Sequence, residues 1–515
     1  MKIKINIAIF LFNINTFLFL SESSSNIIRF AFILTRTGAH SPSKLKQMNS
    51  NDSKNIIYKD IFGYEWIGEN ELTSVGKRQQ YYLGNRNNLR YKNILYSDIY
   101  CPKEISSISS DTNKTIQSSY AYLHGLYPSN NITLTDQQII NAIPPLNTDN
   151  GYIDAKNELD INNYILPDNI QIAPVLNFYE KDYNYLLEKI ENCPNIKNYY
   201  DESELLSKKK LEEILYYKSE YNDKTYGEIL VEILNEEQIY NENYNINIIK
   251  NNFTLFKQIA ETFICDYFEA VNLDKFTEKG INIYKLLEMF EDFFGTISIG
   301  GGVNDLDGKR KNKTYELCQK VNYYLFNSLL NWIKLKIDND IKKDFDILLY
   351  ESPKIVSFFS HHESIESLYY FLKETFDIKN AKKSLYVNFT SFISIELYRK
   401  NNDNNEYTYN DFYIRFIYDN EQLGNDISYN KFYDKISEKI ITLDELEEYC
   451  GLNQKENNNI IHNTETESES NIILKVFGIL LICIFPILLS FVIFLIYKLK
   501  KNNFINLPDE IIPEN

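Results

Sequence analysis

The chain contains five histidines, His40, His124, His361, His362 and His462. Three of them fall in two short segments, each just after an apolar run. The first segment is Leu34-Thr35-Arg36-Thr37-Gly38-Ala39-His40-Ser41-Pro42 and the second is Ser360-His361-His362-Glu363. An arginine set among imidazoles is a grip for an oxyanion. The hydroxyl of Thr37 is a weak nucleophile without a base to deprotonate it, so it reads as a hydrogen-bond donor or a packing residue. His361 reads as a neighbour of the working groups, and His124 and His462 as structural or exposed.

These segments need a scaffold. Ile27 to Leu34 is a short β-prone run, so the loop at Thr37 to Pro42 falls at a strand's carboxyl end, where open α/β sheets place their ligands. Ile355 to Phe359 reads as a buried strand that delivers His361, His362 and Glu363 in the same manner. Glu104 to Ser110 reads as a third strand, followed by Asp111-Thr112-Asn113-Lys114-Thr115 and a helix that stops at Gly125, with Pro128 beyond. Thr73 stands as the N-cap of a helix with Val75, Tyr82 and Leu83 at helical spacing. Phe392 to Tyr398 and Phe412 to Tyr418 alternate as the strands of a hairpin.

Residues 131–275 shift to Glu, Lys, Tyr and Leu at helical periodicity. They predict a mostly helical insertion between core segments at about residues 25–130 and 276–454 of an α/β domain. A helix is predicted from Thr314 through Leu335. Gly300 to Gly302 and Asn304 to Gly308 read as a loop, because they lack the Lys-Ser/Thr of a P-loop and the context of a dinucleotide fold. No cofactor is expected, and no cluster of Asp and His with metal-ligand character stands out.

The two ends read as targeting segments. Met1-Lys2-Ile3-Lys4, the apolar run Ile5 to Leu20 and the polar Ser21 to Ser25 follow the order of a secretory signal peptide, assigned to residues 1–24. Val476 to Tyr497 is long enough to cross a bilayer, and Lys498, Lys500 and Lys501 after it put the tail, residues 498–515, in the cytosol. Residues 455–475 read as a polar stalk. The expectation is a single-pass type I membrane protein with its large domain, residues 25–454, in a lysosome-like vesicle or at the cell surface. Sequons at Asn51, Asn113, Asn131, Asn252, Asn312 and Asn388 permit glycosylation there. Cys101, Cys193, Cys265, Cys318 and Cys450 are on the same side and allow up to two disulfides, with no pairing fixed by spacing. The formal net charge of −17 disfavours nucleic acid as a partner.

Several segments together resemble the histidine acid phosphatases of the lysosomal and prostatic, membrane-anchored type. Arg36, Gly38 and Pro42 match three positions of that family's RHGxRxP signature. Glu71 to Gln79, Leu83-Gly84 and Arg90-Tyr91 are similar to its xLTxxGxxQxxxLGxxLRxRY helix. Ser109 to Ser118 with Gly125-Leu126-Tyr127-Pro128 is similar to its STDxxRTxxSA…GLYP segment. Pro174-Val175, Asp182 and Cys193-Pro194 resemble its cap region, Ser391 to Tyr398 its late xSxxxFELY strand, and His362-Glu363 its His-Asp pair.

The resemblance implies a phosphoglycerate-mutase-like mixed sheet flanked by helices, a helical cap, and hydrolysis of phosphomonoesters in acid; a homodimer is one assembly open to such a chain, and the sequence does not fix the oligomeric state. It makes Arg36, His40, Lys114 and His362 the phosphate-binding set and Glu363 the proton donor. It also exposes three departures: Thr37 occupies the nucleophilic histidine's place, His40 the second arginine's, and Lys114 that of a further arginine. Thr37 cannot form the labile phosphorus–nitrogen bond on which the family's turnover depends, because a phosphothreonine is itself a slowly hydrolysed monoester. His40 is the possible substitute nucleophile, though its approach would come from a different direction. Otherwise it replaces an arginine's charge, cationic in acid and largely neutral at pH 7, and phosphate binding is then expected to tighten toward pH 5 as His40 and His362 gain protons.

Overall fold

The organising strand is β1 (Asn26–Arg36), whose residues Phe30 to Leu34 are fully buried, as a continuous apolar run at the centre of a covered sheet must be. The computed structural model describes residues 26–49, 56–91, 94, 99–128, 133–142, 166, 170–178, 193–297, 308–342, 353–379, 386–401 and 406–450. After β1 come β2 (Lys46–Asn49), β3 (Ile56–Lys59), β4 (Glu65–Trp66), β5 (Ile105–Ser110), β6 (Leu176–Phe178), β7 (Ile355–Ser360), β8 (Phe392–Lys400), β9 (Phe412–Tyr418) and β10 (Glu421–Ser428). A 7-stranded sheet has the order β10-β9-β8-β1-β7-β5-β6, and β2, β3 and β4 form a small separate sheet. The neighbours β1, β7, β5 and β6 are parallel, while β8, β9 and β10 continue the sheet antiparallel.

Register decides what this sheet presents. Arg36 of β1 lies opposite Ser360 of β7, and Phe359 opposite Ser109 of β5. Three parallel strands therefore end side by side, and the residues that follow them converge. Helices cover both faces. On one side, Ala31, Ile33, Ile105 and Phe359 share a core with α1 (Ser74–Tyr91) and α2 (Asn113–Leu126) through Leu83, Tyr91, Tyr122 and Leu123. A Cβ on Gly84 would stand 1.9 Å from the Tyr122 carbonyl oxygen, and one on Gly125 2.0 Å from that of Tyr81, so the two helices touch only because both positions are glycine.

The helical segment contains α3 (Pro194–Leu215), α4 (Tyr226–Glu237), α5 (Phe253–Glu269) and α6 (Ile283–Ile297). They share an aromatic core in which Phe256 and Phe293 stand 4.9 Å apart and Phe263 and Phe290 5.4 Å apart, all edge to face, the arrangement ring quadrupoles prefer. The same core takes in Ile61, Phe62 and Trp66 of the small sheet, and Ala39 and Phe389 beside the converging strand ends.

Two elements differ from the sequence expectation. The helix expected from Thr314 through Leu335 is two, Gly308–Val321 and α7 (Tyr323–Lys342), the break falling at Asn322. β10 adds an edge strand whose alternation is too polar to announce itself. Past β7 the chain continues directly into α8 (His362–Phe376). Cys193 and Cys450 are disulfide-bonded, whereas Cys101, Cys265 and Cys318 are free thiols, so the two bridges allowed by the cysteine count are not both present among these five.

The described residues up to Leu446 form one compact unit, and those from Glu447 to Cys450 belong to a second. Among the described residues no helix is long and apolar enough to cross a membrane. The expected signal peptide, stalk, membrane span at 476–497, tail, and glycine-rich loop at Gly300 to Gly302 all lie outside the described residues.

Candidate active site

Thr37 sits at the end of β1, almost wholly buried, and its backbone is tied on both sides. Its N–H donates to Ser360 O at 3.2 Å, and its carbonyl accepts from Thr390 N–H at 2.9 Å. The loop beyond is equally fixed: Gly38 N–H donates to Ser118 Oγ at 3.2 Å and Ala39 N–H to Gln79 Oε1 at 2.9 Å, while Gln80 Nε2 donates to Arg36 O at 2.6 Å. Gly38 is required by contact, since a Cβ there would stand 2.3 Å from Gly76 O. Thr73 caps α1 as its spacing predicts, Oγ accepting from Gly76 N–H at 3.0 Å. The Gln79 and Gly76 positions of the matched helix thus serve to hold the loop.

The expected binding residues gather around this point. Arg36 is 7% exposed; its Nη1 donates to Val387 O, and its guanidinium lies 4.3 Å from the Phe389 ring centroid and 5.7 Å from that of Tyr386. One of its five donors is thereby committed to the 386–390 segment, which the sequence reading did not assign to the site. Lys114, at the start of α2, donates to Asn70 Oδ1 at 2.9 Å and lies 3.5 Å from His40 Nε2. Asn70, with a left-handed φ of 55°, was also missed, and only that conformation distinguishes it.

His40 is buried, its ring edge-on to Phe389 at 5.0 Å. Nδ1–H donates to Ser41 O at 2.8 Å, which leaves the lone pair on Nε2. At the start of α8, His362 Nδ1 lies 3.1 Å from Glu363 Oε2, with side-chain exposures of 37% and 17%. The N-cap residues of α2 and α8, Thr112 and His361, make no side-chain cap hydrogen bond. Two helix N-termini with their partial positive charge therefore sit beside Lys114 and His362, a setting that favours an anion.

The electrostatics run against proton uptake at the two histidines. Burial pushes the His40 pKa well below its ordinary value, and the charges of Lys114, Arg36 and His361 push the same way, with only the Ser41 hydrogen bond opposing. His362 is pushed down to about 3, first by burial and then by Arg36, His361 and Lys257, against the pull of Glu363. Its ring is a third exposed, so solvent screens part of this, but the direction stands. Both imidazoles therefore resist protonation more than a free histidine does. A positive charge on His40 in an arginine's place is disfavoured by this setting, and so is proton uptake by the two histidines as pH falls. Burial also lowers the Lys114 pKa, with Glu261 and Glu363 opposing. Arg36 and Lys114 are the basic side chains at this point. Among the described residues no group of three or more His, Cys, Asp or Glu could hold a metal ion.

The family model of the histidine phosphatase superfamily, branch 2, matches residues 8–419. The chain belongs to that family, whose members act on phosphate esters. No curated protein matches it. Among solved structures it is similar to the Hafnia alvei phytase in complex with tartrate, at 10% identity, TM-score 0.47, covering 83% of this chain and 99% of that one. It is also similar to the Klebsiella sp. ASR1 phytase, at 10% identity and TM-score 0.45 over 81% and 96% of the two chains. The Bifidobacterium longum multiple inositol polyphosphate phosphatase, in complex with inositol hexasulfate, follows at 11% identity and TM-score 0.42 over 78% and 88%.

Proposed function

We propose that this chain is a membrane-anchored member of the histidine phosphatase superfamily that binds a phosphomonoester at Arg36, Lys114, His362 and the two helix N-termini, and turns it over poorly. The observation that supports impaired turnover is Thr37. It holds the strand-end position of the nucleophile with its backbone fully engaged, and its hydroxyl cannot give a labile phosphoenzyme. Glu363, 3.1 Å from His362, keeps the position of the proton donor. The anchoring, the lumenal or extracellular placement of the domain and its glycosylation rest on the apolar end segments and the sequons of the sequence.

A second reading is favoured by the tautomer of His40. With Nδ1–H held by Ser41 O, Nε2 has a lone pair able to displace an alcohol from phosphorus, Glu363 supplying the leaving oxygen's proton and water later cleaving the phosphohistidine.

Hydrolysis of para-nitrophenyl phosphate at pH 5 by the full-length protein in detergent separates the two. The first reading expects a rate near the blank for the native protein and a gain for Thr37→His. Robust native turnover that His40→Ala abolishes would overturn it in favour of the second.

A further inference from the structure

Asp60 and Asp266 are both fully buried. They come from the turn after β3 and from the C-terminal half of α5, two elements that frame the candidate site. Asp60 is saturated with donors: Oδ1 accepts from the N–H groups of Phe62 at 2.7 Å and Tyr64 at 3.1 Å, and Oδ2 from Trp66 Nε1 at 2.7 Å. Asp266 Oδ2 accepts from Asn272 Nδ2 at 2.8 Å. Asp266 Oδ1 is buried without a donor, and the two carboxyl groups lie within each other's hydrogen-bonding reach. Two ionised carboxylates in contact and away from water repel; a single proton between them turns that repulsion into a hydrogen bond and satisfies the orphaned oxygen.

We propose that Asp60 and Asp266 share one proton, and that this acid–carboxylate bond is the joint fixing α5 to the β3–β4 turn, held in acid and loosened as the pH rises. Asp60, with three N–H donors, is the carboxylate, and Asp266, with one, the acid. What the joint positions is the site loop. From α5, Glu261 accepts from Ser43 N–H at 3.0 Å and Ser43 Oγ–H at 2.6 Å. One helix end on, Glu269 Oε1 lies 2.5 Å from Thr73 Oγ, itself 3.0 Å from Ala39 O. Both sides of the His40 loop are thus tied to the helix that Asp266 anchors.

The surrounding charges agree. Burial and then the charge of Asp60 raise the Asp266 pKa well above the ordinary carboxylate value, with Asn272 and Lys275 opposing. Burial raises that of Asp60 against its donors. Lys275 donates to Phe62 O at 2.6 Å and is neutralised by Glu237; Tyr240 and Cys265 are the other titratable neighbours. An acid whose folded pKa is raised stabilises the fold fully below its unfolded value, and that stability is lost as pH rises through the folded value, by about tenfold in the folding constant per pH unit. Glu269, also raised by burial, acts in the same direction, so the test is a difference.

Thermal unfolding of the full chain in detergent is measured from pH 5 to pH 8 for the native protein and for Asp266→Asn, whose amide donates to Asp60 without needing a proton. The native melting temperature is expected to fall by several degrees across this range and the variant's to fall clearly less. Equal slopes overturn the proposal. Should the variant fail to fold, infrared spectra of the native protein labelled with carboxyl-13C aspartate decide: a protonated aspartate band at pH 6 supports the shared proton, and its absence overturns it.

Discussion

His40 Nε2 faces Lys114 Nζ at 3.5 Å while Nδ1–H is held by the Ser41 carbonyl at 2.8 Å. The ammonium and the imidazole therefore oppose each other's protonation, and after burial Lys114 is the largest reason that the His40 pKa is lowered. Lys114→Met is expected to move the His40 pKa upward, though not to its ordinary value because burial remains, as followed by NMR of labelled histidine. The same variant should weaken phosphate binding by about tenfold to a hundredfold in calorimetry, the worth of one charge-assisted hydrogen bond, with Lys114→Arg close to native. An unmoved His40 titration would show that the pair does not interact.

Imidazoles that resist protonation also bear on the pH dependence of anion binding. The folded pKa values of His40 and His362 are lowered, His362 to about 3, so both resist taking up a proton as pH falls from 7 to 5. Sulfate, whose own charge is constant in this range, is expected to bind the full-length protein with an affinity that changes less than about threefold. Protonation of two imidazoles against the anion would instead tighten it by about tenfold each. A steep rise toward pH 5 would mean that the anion itself drags protons onto the histidines.

How far the sequence reached can be judged at these same residues. The strand ends bearing Arg36, Lys114 and His362 were legible because apolar runs followed by polar turns are a local signal, and parallel register brings such ends together. The protonation state of His40 was not, since burial is a property of the packed loop and a histidine in a turn carries no mark of it. The Val387 carbonyl on Arg36 and Asn70 on Lys114 were invisible for the related reason that contacts across many residues leave no periodicity. The Arg90-Tyr91 and Glu396-to-Tyr398 segments were legible as motifs but not as a pair, and the structure shows that their partner is each other.

That pair gives the last expectation. Arg90 Nε and Nη2 donate to the two oxygens of Glu396 at 2.7 and 2.9 Å, and the hydroxyls of Tyr91 and Tyr398 donate to the same carboxylate at 2.7 and 2.9 Å. Glu396 is buried at the middle of β8, so this bridge fastens α1 to the sheet far from the strand ends. Burial alone would raise the Glu396 pKa, but Arg90 and the two tyrosines outweigh it and hold the value below the ordinary one. A depressed carboxylate contributes stability above its unfolded pKa and loses it as pH falls through the folded value, opposite in sign to the Asp60–Asp266 joint. Glu396→Gln should cost roughly 3–5 kcal/mol, because it leaves the half-buried guanidinium without its counter-charge. Denaturant unfolding at pH 7 measures this, and the gap between variant and native protein should narrow below about pH 4 as the native carboxylate protonates. A gap that stays constant down to pH 3 would mean that packing, not charge, holds α1 on the sheet.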